Sequence, residues 1–181
     1  KYSQYGEQVT HELVAPLAEH GITIVSGLAL GIDGMAHQAT LKAGGRTIAV
    51  LGCGNDKYHV QPAAHRLLAN QIIEAGGAVI TEYAPGTLPN TFTFPRRNRI
   101  IAGISLGTLV VEASEESGSL ITAQCALDNG REVFSVPQNI TSETATGSNN
   151  LLKMGARIVT SHQDILDALN LNDIKQYVTS R

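Results

Sequence analysis

The chain has 181 residues, 43% of them hydrophobic, enough for one domain with a core of its own. Thirteen Lys and Arg face 16 Asp and Glu, and the net charge of −3 excludes a uniformly basic nucleic-acid binder. Two cysteines exclude a disulfide framework, no apolar run is long enough to span a bilayer, and nothing resembles a signal peptide, so a reducing cytoplasm is the expected compartment.

In chain order, a helix is expected over 4–20 and a strand over 21–26. A helix over 32–43 follows, with apolar positions at Ile32, Met35, Ala36 and Ala39. The run Ile48-Ala49-Val50-Leu51 lies in a strand over 47–51. A helix over 63–75 carries the stripe Ala64, Leu68, Ile72, Ala75, and a strand over 78–82 comes next. Then come a short helix over 97–104, a strand over 108–112, a helix over 119–129 and a strand over 132–136. The polar, turn-rich stretch 137–147 reads as a loop. A helix over 149–154, a strand over 157–160 and a helix over 163–169 complete the series. Gly21, Gly44, Gly76, Gly130 and Gly155 follow helices and can end them in the left-handed conformation. The near-continuous apolar strands predict coverage on both faces. The alternation predicts an α/β fold: a Rossmann-like open, mostly parallel sheet with helices on both faces. One domain is expected over 1–171, with a loosely held tail over 172–181.

Three segments could carry function. The first is Ser26-Gly27-Leu28-Ala29-Leu30-Gly31-Ile32-Asp33-Gly34, where a strand turns into a helix whose first N–H groups favour an anion. Its spacing matches neither a dinucleotide fingerprint nor a P-loop. A tight turn with no ligand explains the same glycines. Asp33 and His37 share a helix face, Asp33 as support for the helix start and His37 as a partly buried packing residue. The second is Phe92-Thr93-Phe94-Pro95-Arg96-Arg97-Asn98-Arg99. It gathers three basic residues within four positions in an otherwise acidic chain, beside two of only three phenylalanines. Guanidinium forks fit phosphate oxygens, and aromatic faces stack on any base. A solvated basic turn with its Phe packed inward is the plain alternative. In the third, Glu112 ends a strand and Ser117-Gly118-Ser119 opens a helix, so these serines can cap the helix, meet an anion, or do both. Cys53, His59 and His65 lack metal-ligand spacing, and no metal or other cofactor is expected; Cys125 reads as core.

Five motifs, in order, resemble the DNA-processing protein A (DprA/Smf) family. They are Ser26-Gly27-Leu28-Ala29-x-Gly31-Ile32-Asp33 with Ala36-His37; Ile48-Ala49-Val50-Leu51-Gly52; and Phe94-Pro95-x-Arg97-Asn98-Arg99-x-Ile101-Ala102-Gly103. Val110-Val111-Glu112-Ala113 with Ser117-Gly118-Ser119-x-Ile121-Thr122-Ala123, and Gly130-Arg131-Glu132-Val133-Phe134, complete the set. The resemblance covers most of residues 2–169. It implies single-stranded DNA binding and protection during uptake in natural transformation, delivery of that DNA to the recombinase RecA, and a homodimer. It implies no cofactor, no catalytic step and no membrane. The DNA pocket it implies comprises Ser26, Gly27, Leu28, Ala29 and Gly31, then Phe94, Arg96, Arg97, Asn98 and Arg99, bordered by Ser117, Gly118 and Ser119. It also implies that a Gly-Ser-Arg turn and its strand, which precede this region in the family, are missing from a fragment. Leu30 stands where many relatives carry Lys or Arg, Gln138 where Gly is usual, and Tyr58-His59 where Tyr-Pro is common. A looser echo, Gly107-Thr108-Leu109-Val110-Val111-Glu112, resembles nucleoside-monophosphate phosphoribohydrolases and would make Glu112 a catalytic carboxylate.

Overall fold

The structure, a computed structural model, describes residues 2–56 and 58–171. The expected tail over 172–181 lies outside them.

Six strands alternate with helices. In chain order they are α1 (Gln4–Glu19), β1 (Ile24–Ser26), α2 (Ile32–Lys42), β2 (Thr47–Val50), a 3-10 turn (Ala63–His65), α3 (Arg66–Glu74), β3 (Ala78–Ile80) and α4 (Thr93–Ile104). There follow β4 (Gly107–Val110), α5 (Gly118–Asp128), β5 (Glu132–Ser135), α6 (Thr146–Lys153), β6 (Arg157–Ile158) and α7 (His162–Ala168). The parallel α/β reading holds, in a divided form. The strands make two three-stranded sheets, ordered β1-β2-β3 and β4-β5-β6, with every pair parallel. Each strand is followed by a helix or loop on the same rim, as parallel crossovers require.

Helix α1 ties the sheets together. Its Leu13 and Leu17 pack with Phe134 and Val136 of the second sheet and with Ile165 and Leu166 of α7. Ile24 of β1 and Leu109 of β4 join the margin of the same cluster. A second cluster lies under α3, with Leu28, Ala49, Leu51, Cys53, Leu68 and Ile72. The third joins α4 to α5 through Ala102, Ala123 and Ala126, small side chains that let the two helices approach closely. Strand β2 is buried almost throughout, whereas β1 is only half-buried along its length. Burial is nearly complete along β2 and β5 but only partial along β1, β3 and β4. Among the described residues the edge of β1 away from β2 pairs with no strand.

The foreseen glycines do end helices: Gly21, Gly44, Gly76, Gly130 and Gly155 take φ between 63° and 101°. Two helices start earlier than the sequence suggests. Helix α4 begins at Thr93 because Asn90 Oδ1 accepts from the N–H groups of Phe92 and Thr93, and because Pro95 is harmless in a first turn. Helix α6 begins at Thr146 because the Ala113 carbonyl accepts from Gly147 and Ser148 N–H, a partner far away in sequence. The 137–147 loop is tied down in part by Gln138, whose Nε2 donates to Val111 O at 2.7 Å and whose N–H donates to Asn149 Oδ1 at 3.1 Å.

Candidate nucleic-acid interface

The glycine-rich turn leaves the carboxyl end of β1, the stretch through Gly52 leaves β2, and the segment to Ser117 leaves β4. Helix α4 joins all three. Arg97 donates from Nη1 to Gly27 O at 2.6 Å and also to Val50 O, so one guanidinium ties the ends of β1 and β2. Its Nε donates to Asn98 Oδ1 at 3.1 Å, and Asn98 Nδ2 donates to Gly118 O at 3.3 Å. Phe94 lies against Gly52, where an added Cβ would come within 3.0 Å of its ring. The three segments singled out in the sequence thus meet on one rim.

They do not all face solvent. Arg97 is only 4% exposed, and its Nη1 is spent on two backbone carbonyls. Burial works against its charge, and the nearby Asp33 carboxylate partly restores it. The sequence reading of Arg97 as a phosphate fork thus meets a side chain already committed to holding the turn. Gly27 and Leu28 are buried too, and Asn98 nearly so. Leu28 takes the left-handed region, with φ 61, while fully buried; this is uncommon for a bulky residue and needs support from both sides. Gly27 has no room for a Cβ, because the Arg97 guanidinium fills that space. Ser26 and Ala29 are half-buried, as is Gly31, which starts α2 with φ 91 and no side-chain cap.

Phe92 (76% exposed), Phe94 (41%), Arg96 and Leu30 stand outward on this rim. Arg99 is exposed as well, but pairs with Glu82. At the start of α5, Ser117 accepts from Ser119 N–H, and the two hydroxyls lie 2.8 Å apart. Gly118 is exposed beside them. Glu115 and Glu116 are also exposed there and oppose an anion at that end.

His37 and Asp33 do not pair. His37 is fully buried, not partly so. Its Nδ1 lies 2.7 Å from Thr47 Oγ1, and Thr47 donates its own proton to Ile24 O. The Nδ1 must then be the donor, which leaves Nε2 bare and without a partner. Desolvation lowers the His37 pKa to about 4, against the favourable field of Asp33, so the ring is neutral. Sequence reasoning weighed His65 only as a metal ligand and missed its place at the turn, where its Nδ1 donates to Leu28 O at 2.8 Å. Gly34 leaves the space that its ring occupies, and that glycine is the one signal in the sequence.

Glu112 is occupied elsewhere. Its carboxylate accepts from Ser3 N–H at 2.8 Å, Ser3 Oγ at 2.7 Å and Thr144 Oγ1 at 3.3 Å. It serves the N-terminus of α1. Among the described residues no group of three or more His, Cys, Asp or Glu is placed to hold a metal; His59 pairs with Asp56, and Cys53 is buried. No helix among them is long and apolar enough to cross a membrane.

Comparison with known proteins shows the family and the fold. The sequence model of the family described as DNA recombination-mediator protein A matches residues 1–170. Protein Smf of Escherichia coli (strain K12) is 48% identical over 168 residues, covering 93% of this chain and 44% of Smf. In structure, DNA processing protein A from Streptococcus pneumoniae is similar at a TM-score of 0.82 and 43% identity, over 92% of this chain and 57% of that one. DNA processing protein A from Helicobacter pylori, whose structure was solved to describe its unique single-stranded DNA binding mode, gives 0.82 at 29% identity, over 93% and 75%. The chain spans about half the length of the curated relatives it matches, 44% of Smf and 54% of the Bacillus subtilis (strain 168) DNA processing protein DprA.

Proposed function

The chain belongs to the DNA recombination-mediator protein A family, and we propose that it binds single-stranded DNA, without chemistry, along the rim where α4 joins the ends of β1, β2 and β4. One observation carries this reading. Arg97 and Asn98 draw the Gly27 turn and the Gly118 turn to a single edge, with Phe92, Phe94 and Arg96 exposed beside them. Backbone N–H groups and one free guanidinium suit phosphates, and exposed aromatic faces suit unpaired bases of any sequence. Ligands of parallel α/β sheets also gather at strand carboxyl ends.

The contact set differs from a simple basic cluster. Arg96 supplies the direct phosphate contact; Arg97 and Asn98 shape the turns from behind; Arg99 contributes only when it leaves Glu82. Gly31 presents backbone at the outer lip of the turn, Ser26, Gly27, Leu28 and Ala29 shape that turn from within, and Ser117, Gly118 and Ser119 close the far end. The further role of protecting incoming DNA in natural transformation and loading RecA onto it rests on family membership. So do the homodimer and the cytoplasmic setting. A catalytic role for Glu112 has no support, since three donors already hold its carboxylate.

The test is anisotropy of a labelled oligothymidylate across a salt series. Affinity should fall with salt, with a log–log slope of about −0.7 for each phosphate neutralised. Arg96→Ala should make that slope shallower by about 0.7 and leave the fold intact. A duplex that competes as well as the single strand, or a slope unchanged by Arg96→Ala, would remove this assignment.

A further inference from the structure

Five of the six backbone N–H and C=O groups of the Gly27-Leu28-Ala29 turn are held by groups from outside it. Asp33 Oδ2 accepts from Gly27 N–H at 3.0 Å and Ala29 N–H at 3.4 Å. On the carbonyl side, Arg97 donates to Gly27, His65 Nδ1 to Leu28, and the Gly34 N–H, at 3.1 Å, to Ala29. The turn is thus clamped between a carboxylate from α2 and donors from α4 and the 3-10 turn. Leu28 sits between the two N–H groups that Asp33 holds, in a left-handed conformation that a leucine does not keep unaided.

Two N–H groups that an isolated glycine-rich turn would offer to an anion are therefore already taken, by a side chain of the same protein. What remains for a ligand is the outer lip of the turn, towards Leu30 and Gly31. We propose that Asp33 is a positioning residue for DNA: by accepting from Gly27 and Ala29 it sets the shape of the turn that a phosphate meets. The proposal rests on the DNA-binding reading above.

It makes an unusual demand. A carboxylate beside a polyanion site repels the ligand, so plain electrostatics has every charge-removing substitution at Asp33 tighten binding. Positioning requires instead that the outcome depend on the acceptor. Asp33→Asn and Asp33→Ala lose the same charge, but only the amide keeps an oxygen able to accept from both N–H groups.

The experiment measures oligothymidylate affinity and its salt slope for the intact protein carrying Asp33→Asn, Asp33→Ala or Asp33→Glu, with thermal melts alongside. Asp33→Asn should bind as well as the unsubstituted protein or somewhat better. Asp33→Ala should bind about tenfold more weakly than Asp33→Asn, with the same salt slope, because no phosphate contact is lost. Asp33→Glu keeps the charge and displaces the acceptor by a methylene; it should also bind several-fold more weakly, and it decides the matter if Asp33→Ala fails to fold. Equal affinities for Asp33→Asn and Asp33→Ala, or an Asp33→Glu protein that binds normally, overturn the positioning role while leaving the DNA-binding reading in place. If the unsubstituted protein does not bind the oligonucleotide, both fall together.

Discussion

Arg97 carries a positive charge into a place that water barely reaches, and its acceptors are two carbonyls and an amide oxygen. Such a group is retained where it fixes geometry, because desolvating a charge is costly unless its hydrogen bonds are nearly complete. His37, some way behind it, is the neutral counterpart. Its folded pKa, about 4, lies below the ordinary 6.5. Well above pH 6.5 the ring is neutral in the folded and unfolded chain alike, and it adds no pH dependence. Between 6.5 and 4 the unfolded chain takes up a proton that the folded one refuses, so stability is lost as pH falls through that window. The loss is on the order of 3 kcal/mol by pH 4. Urea unfolding at several pH values should show it, and the difference profile against His37→Leu should isolate it from the carboxylates. A variant whose profile parallels the unsubstituted protein between pH 4 and 6.5 would show that His37 is not held neutral. Sequence spacing put Asp33 and His37 on one face correctly. It gave no sign that one turns to the backbone of Gly27 and the other to Thr47, because both partners are set by tertiary packing.

At the level of elements, the site depends on where helices begin. Helix α1 is capped by Ser3, whose hydroxyl accepts from Gly6 N–H and donates to Glu112, just past the end of β4. One serine thereby caps a helix and ties it to the second sheet. Ser3→Ala should destabilise the protein by about 1 kcal/mol for the lost cap, and by somewhat more because the buried Glu112 loses a donor. Chemical denaturation would measure this; a change within a few tenths of a kcal/mol would mean that the Ser3–Glu112 link is not formed. Most elements were legible to within a residue or two, since apolar periodicity and the helix-ending glycines are local signals. The starts of α4 and α6 were less legible. The first depends on Asn90, the second on a carbonyl at Ala113, and no 3.6-residue pattern encodes either.

For the molecule as a whole, the sequence pattern led to parallel α/β architecture, and two parallel three-stranded sheets realise it, bridged by α1. The division into two was not legible, because hydrophobic runs identify strands but do not name their neighbours. The candidate site was legible as three separate segments. That they share a rim rests on parallel pairing within each sheet and on Arg97 and Asn98 of α4, which bond to the segments of both. Which arginine faces outward could not be read: Arg96, Arg97 and Arg99 look alike in sequence, yet one is free to meet solvent, one is buried and one is paired. The net charge of −3 is consistent with a local anion-binding edge on an acidic body.

The most direct measurement is backbone amide mapping by NMR as a short oligothymidylate is added to the protein. Shifts should concentrate at Leu30–Gly31, at Phe94 and Arg96, and at Ser117–Ser119, and titrate together with one dissociation constant. Shifts confined to the opposite rim, around Arg46, Arg131 and Arg157 at the strand amino ends, would contradict the assignment of this edge as the surface that receives DNA.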